Sequence, residues 1–167
     1  SNIEQIINEN GNDLVWDVSN DGTKILFQSN RNGNWDIFMM NADGSNQQQL
    51  TTSSSDQEHP SFSPAGDEIL YLQEHSSGSD IYQMNLSSLS SINLTPTMGG
   101  FSGSPRYSNN ESFIVFSNRT SATNSNYNEL YTMNPDGSNI QVLYDVWGSD
   151  AYPRFSPDGS RIIFNHT

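Results

Sequence analysis

A twelve-residue phrase recurs along this chain at nearly even spacing, and no other feature restricts the possible fold so strongly. Its last copy runs Pro153-Arg154-Phe155-Ser156-Pro157-Asp158-Gly159-Ser160-Arg161-Ile162-Ile163-Phe164. Pro60 to Tyr71 and Pro105 to Phe116 repeat it with small edits, and Trp16 to Phe27 is an eroded copy without the proline. The residue before the shared serine (Val18, Phe62, Tyr107, Phe155) recurs at intervals of 44, 45 and 48 residues. A repeat of roughly 40–45 residues built from short strands is the signature of a β-propeller.

Each repeat reads as four strands. In the second, Pro60–Ser63 is followed by Pro64-Ala65-Gly66-Asp67, whose proline presets φ and whose glycine accepts φ > 0. Strands over Ile69–Gln73, Asp80–Asn85 and Ser91–Thr95 complete the unit. The first repeat gives Val15–Ser19, Lys24–Ser29, Asp36–Asn41 and Gln47–Thr51. The third gives Pro105–Ser108, Phe113–Ser117, Glu129–Asn134 and Ile140–Tyr144. Asp43-Gly44 and Asp136-Gly137, each between two strand patterns, are strong hairpin signals. No helical period is evident.

The expected fold is therefore all-β, a β-propeller of four-stranded antiparallel blades forming one domain over residues 1–167. The repeats occupy about 11–52, 56–96, 101–145 and 149–167, with 1–10 as an outer strand of the closing blade. That makes about three complete blades and a partial fourth. A propeller must close to protect its edge strands, so the expectation is a fragment of a larger ring or self-association of two copies.

Nineteen acidic against six basic residues give a net charge of −13. A phosphate backbone would be repelled, so nucleic acid is not an expected partner. Acidity most simply confers solubility, and it also favours cations or a basic partner surface. No apolar run approaches the roughly 20 residues of a membrane helix, so no membrane insertion is expected. Ser1 to Gln5 has neither the basic start nor the apolar stretch of a signal sequence. With no cysteine, disulfide and thiolate chemistry are excluded and the compartment is left open.

These copies resemble the TolB-type (WD40-like) propeller repeat, whose pattern runs P-x-F-S-P-D-G-x-x-I-x-F, then S-x-R-x-G-x-x-x-I-Y-x-M-N-x-D-G-S-x, then L-T. Phe155-Ser156-Pro157-Asp158-Gly159 with Ile162 and Phe164 matches the first segment. Ser29, Arg31, Gly33, Ile37, Phe38, Met40, Asn41, Asp43, Gly44, Ser45, Leu50 and Thr51 match the rest. Departures are the missing proline of the first copy, Asn110-Glu111 for Asp-Gly in the third, and a longer loop over 120–128. The resemblance implies a periplasmic or secreted protein. It extends to propellers that gate prolyl-oligopeptidase-like serine peptidases and to oligogalacturonide lyases, so fold is better fixed than function.

Recognition by a propeller falls to its rims and channel mouth, because neighbouring blades cover the sheet faces. The loops entering the inner strands (13–17, 53–60, 98–105 and 148–153) carry Trp16, Asp56, Glu58, His59, Phe101, Trp147, Asp150 and Tyr152. Aromatics beside carboxylates are common ingredients of protein contacts, although each aromatic alone is as readily inter-blade packing. Asp36, Asp80 and Glu129 stand before the third strands and Arg106 and Arg154 follow inner-strand prolines, which suggests structural charge pairs.

Glu58 and His59 are conceivable metal ligands, but no second histidine holds the matching place and a metal needs three or more convergent donors. Asn41-x-Asp43-x-Ser45 and Asn134-x-Asp136-x-Ser138 have calcium-loop spacing without the closing glutamate, and a hairpin turn explains both. No Gly-x-Ser-x-Gly elbow or Ser–His–Asp set is indicated. The expectation is a non-catalytic scaffold binding a protein partner through rim and channel, with no metal or other cofactor. The alternatives are a regulatory propeller of a peptidase or a lyase-like propeller.

Overall fold

The computed structural model describes residues 6–7, 10–119, 127–144 and 148–167. Its strands fall into four successive groups. Blade 1 comprises β1 (Asp13–Val18), β2 (Lys24–Ser29), β3 (Asp36–Asn41) and β4 (Gln48–Gln49). Blade 2 comprises β5 (Gln57–Phe62), β6 (Glu68–His75), β7 (Gly78–Asn85) and β8 (Ser91–Asn93). Blade 3 comprises β9 (Gly100–Tyr107), β10 (Ile114–Arg119), β11 (Glu129–Met133) and β12 (Gln141–Tyr144). Blade 4 contributes β13 (Asp150–Phe155) and β14 (Ile162–His166). Within every blade neighbouring strands are antiparallel.

The inner strands start earlier than the sequence suggests. β5, β9 and β13 take in much of what reads as loop, including Glu58, His59, Phe101, Asp150 and Tyr152, and β1 takes in Trp16. Glycine, serine and proline obscure the strand pattern there, but pairing with β6, β10, β14 and β2 supplies the missing order.

Alternation along the second strand of each blade explains its unbroken apolar runs. Successive side chains point to opposite faces, and in a propeller both faces are buried. Ile69 and Tyr71 join Leu26, Ile37 and Leu50 between blades 1 and 2. Leu70 and Leu72 join Ile114, Phe116 and Met133 between blades 2 and 3. Burying such a side chain contributes roughly 1.5–3 kcal/mol. Ile25 and Phe27 turn to the other face of blade 1, where Ile6 and Ile7 pack on them. The rest of the outer strand expected over 1–10, apart from Asn10, lies outside the described residues. At the position where Leu26, Leu70 and Val115 are buried, Ile163 is 67% exposed.

Blades 2 and 3 are also joined through their backbones. Gly78 and Ser79 pair in parallel with Gly100 and Phe101. On the rim formed by the Ser-x-x-Gly turns, Asn20 Nδ2 donates to the Pro64 carbonyl at 2.9 Å. The Ala65 amide donates to Glu111 Oε1 at 2.8 Å, and Asn109 Nδ2 donates to the Pro157 carbonyl at 2.6 Å.

The serine of the repeated phrase holds each turn shut. Ser19 Oγ donates to Asp21 and accepts from the Lys24 amide, and Ser156 does the same with Asp158 and Arg161. Gly22, Gly66 and Gly159 supply the left-handed residue, with φ of 71°, 77° and 69°. Glu111 occupies that place in blade 3 at φ 56°. A Cβ there costs about 1–2 kcal/mol, so Glu111→Gly should be more stable than Glu111→Ala by about 1 kcal/mol. Both variants lose the carboxylate, so urea denaturation of the pair reads the backbone effect alone. Equal midpoints would contradict it.

The repeated Leu-Thr also acquires a physical role. Thr51 Oγ1 accepts from the Ile37 amide at 2.8 Å and Thr95 Oγ1 from the Ile81 amide at 2.9 Å. Thr51→Val leaves a buried amide without its acceptor, and a loss of about 2 kcal/mol in chemical denaturation is expected. A loss below about 0.5 kcal/mol would show that the bond is dispensable.

The acids before the third strands do not pair with the inner-strand arginines. Asp36 accepts from Gln49 and Thr51, and Asp80 accepts from Asn93. Glu129 instead accepts from Tyr131 Oη. Asp36 and Asp80 thus face the outer strand of their own blade, whereas Arg106 and Arg154 stand on inner strands. Burial raises the Asp36 pKa, opposed by the Thr51 and Gln49 hydrogen bonds.

Candidate functional site

Bulges shape the axial ends of the inner strands. In β5, β9 and β13 two residues oppose one on the partner strand, and in β1 Trp16 is the extra residue. Proline cannot donate to a ladder, so Pro60, Pro105 and Pro153 sit within these bulges. The residues before them, His59, Ser104 and Tyr152, adopt φ of 54°, 47° and 56°. Such left-handed side-chain-bearing residues cost of order 1–3 kcal/mol each and cluster where a site is held in shape. Bulges also re-aim side chains.

Here they bring together residues of three blades. The rings of Trp16 and His59 lie 4.1 Å apart, and those of His59 and Tyr152 lie 6.5 Å apart. The His59 amide donates to Gln28 Oε1 at 3.2 Å. Trp16 Nε1 and His59 Nδ1 are buried and have no hydrogen-bond partner among the described residues. Burial, reinforced by the nearby Arg106 charge, lowers the His59 pKa to about 4. The imidazole is therefore neutral at pH 7, and Tyr152 is half exposed beside it.

The other sequence candidates among the described residues have partners of their own. Asp56 accepts from the Trp35 amide at 2.8 Å and so secures the start of β3. Glu58 accepts from Gln28 Nε2 at 3.4 Å, and burial raises its pKa, helped by Glu74 and Asp56. Phe101 carries the Arg119 guanidinium 4.9 Å above its ring. Asp150, almost fully buried, bonds His166 Nδ1 at 2.8 Å. Trp147 lies outside the described residues.

One position escaped the sequence reading as a group. Asp17, Ser61, Arg106 and Arg154 each directly precede the marker residue of their copy. Arg106 Nη1 lies 3.9 Å from Asp17 Oδ2 and donates to the Pro60 carbonyl at 3.2 Å. Ser61 Oγ donates to the Pro105 carbonyl at 2.8 Å. The available signal was that equivalent positions of a propeller's inner strands meet at one level of its axis.

Four-stranded units of antiparallel strands, packed blade on blade with their inner strands brought together, define a β-propeller. Residues 1–126 match the family model described as TolB beta propeller domain, and the chain belongs to that family. A protein TolB homolog of Chlorobium luteolum is 29% identical over 145 residues, covering 86% of this chain and 31% of that protein. The Tol-Pal system protein TolB of Cereibacter sphaeroides is 41% identical over 54 residues, covering 32% of this chain and 12% of that protein. The crystal structure of TolB from Acinetobacter baumannii superposes with a TM-score of 0.83 at 20% identity. That superposition covers 97% of this chain and 39% of that one. The matched stretches thus cover between 12% and 39% of the length of the TolB relatives named.

Proposed function

We propose that the chain is a non-catalytic binding propeller of TolB type, acting in the periplasm and engaging a protein of a Tol–Pal-type system at its channel mouth. The carrying observation is the convergence of Trp16, His59 and Tyr152 from three blades, with two buried ring nitrogens that have no partner among the described residues. An unmatched buried polar group costs about 1–3 kcal/mol, and the half-exposed Tyr152 presents its ring and hydroxyl to an incoming peptide. Aromatics with a polar edge are frequent anchors of protein interfaces.

The test is calorimetric titration with the Pal-type protein of the same organism. Tyr152→Ala and Trp16→Phe should each weaken binding at least about tenfold, the loss of one anchor. Wild-type affinity in both variants would remove the mouth as the contact. Absence of binding by the parent chain would remove the Tol–Pal assignment.

A further inference from the structure

Where Asp17, Arg106 and Arg154 of three inner strands approach one another lies a cavity of about 190 Å³. Its lining includes Asp17, Phe62, Arg106, Tyr107, Asn109 and Arg154. We propose that this cavity is a carboxylate-binding subsite, held by the Arg106 and Arg154 guanidinium groups.

Charge placement is the first argument. The chain has only six basic residues against nineteen acidic ones, yet two of the six line this one cavity. Arg31 is engaged by Asp13 at 2.9 Å, Lys24 by Asn41 at 2.7 Å, and Arg119 stacks on Phe101. The Arg154 guanidinium has no hydrogen bond or ion pair among the described residues.

The second argument is unfilled bonding capacity. A guanidinium carries five N–H donors in a planar fork. Arg106 is buried, yet among the described residues only its Nη1 bond to the Pro60 carbonyl is of hydrogen-bond length. Asp17 lies beyond that length at 3.9 Å, because its oxygens are taken by two backbone amides. Oδ2 accepts from Phe62 at 3.0 Å and Oδ1 from Val18 at 3.1 Å. Burial lowers the Arg106 pKa to about 10, against the pull of Asp17 and with the push of Arg154. Two like charges facing one space favour an anion between them.

The third argument selects the anion. Asp17 offsets one of the two positive charges, so a monoanion completes neutrality where a dianion would overshoot. The planar fork suits a carboxylate in bidentate contact. Phe62 and Tyr107 offer an apolar wall to the carbon side of such a ligand. The source is either a free carboxylate or an acidic side chain or terminus of a peptide. The inference rests on the cavity and not on the identity of any protein partner.

The experiment follows arginine Nε–Hε resonances of the intact chain during titration with sodium acetate, at ionic strength held constant with chloride. Saturable shifts of Arg106 and Arg154 are expected with acetate. Equal shifts in chloride alone would overturn the proposal. Arg154 is exposed, so Arg154→Gln keeps the fold and should weaken acetate binding at least about tenfold. Asp17→Asn, which removes the competing carboxylate, should tighten it. Unchanged affinity in both variants would overturn the assignment. A blocked acidic tripeptide binding more tightly than acetate identifies the source as a peptide, and equal binding identifies a free carboxylate. Inorganic phosphate binding more tightly than acetate would refute carboxylate selectivity.

Discussion

Gly78→Ala is expected to destabilise the chain by about 3–5 kcal/mol, in the range reserved for severe steric conflict. A methyl carbon on Gly78 would stand 1.8 Å from the Gly100 carbonyl oxygen and 2.6 Å from its carbonyl carbon. Both are backbone atoms of the strand that Gly78 pairs with, so neither can swing aside as a side chain would. Relief requires separating blades 2 and 3 at the seam where Leu70, Leu72, Ile114 and Phe116 are buried. For a chain of this size the melting temperature should fall by about 10 °C or more. Gly66→Ala provides the comparison. An added carbon there meets nothing within 4 Å, and only the left-handed φ of 77° is penalised, at about 1–2 kcal/mol. Equal losses in the two variants would show that the inter-blade backbone contact is not what requires Gly78.

A pH effect of similar size is expected from His59. Its pKa is lowered from 6.5 to about 4 in the folded chain, so between these values the unfolded chain binds the proton and the folded chain does not. The contribution of the neutral imidazole is therefore present above pH 6.5 and lost as pH falls toward about 4. The shift corresponds to about 3 kcal/mol. Carboxylates also titrate at the acid end, so the readout is the difference between the parent and His59→Gln. That difference should move by about 3 kcal/mol in favour of the variant between neutral pH and pH 4. A difference independent of pH would mean that the imidazole is solvated in the folded chain.

Much of the architecture was legible before any coordinates. The limits of β2 and β3 agree with the sequence reading at Lys24–Ser29 and Asp36–Asn41, because apolar runs between turn signals have few other solutions. The inner strands were read short at their axial ends. Pro60, Pro105 and Pro153 are loop signals locally, and only a neighbouring strand converts them into bulges within a ladder. Asp36, Asp80 and Glu129 read as one repeated position, and among the described residues their side-chain partners are not the expected arginines. Charge suggests an arginine, whereas geometry supplies Gln49 and Asn93 from the adjacent strand and Thr51 just beyond it.

The site shows the same division. Trp16, His59 and Tyr152 were each identifiable as residues entering an inner strand. Nothing local in the sequence indicates that these three meet, since that depends on bulges and left-handed φ values. The Asp17–Arg106 approach is likewise a product of the ring. By itself, the sequence determined the repeat, the strands and the faces they bury, because these follow from periodicity and turn chemistry acting over a few residues. The tertiary structure alone decided which side chains share the axis, because that depends on how whole blades rotate about one another, a long-range outcome of packing.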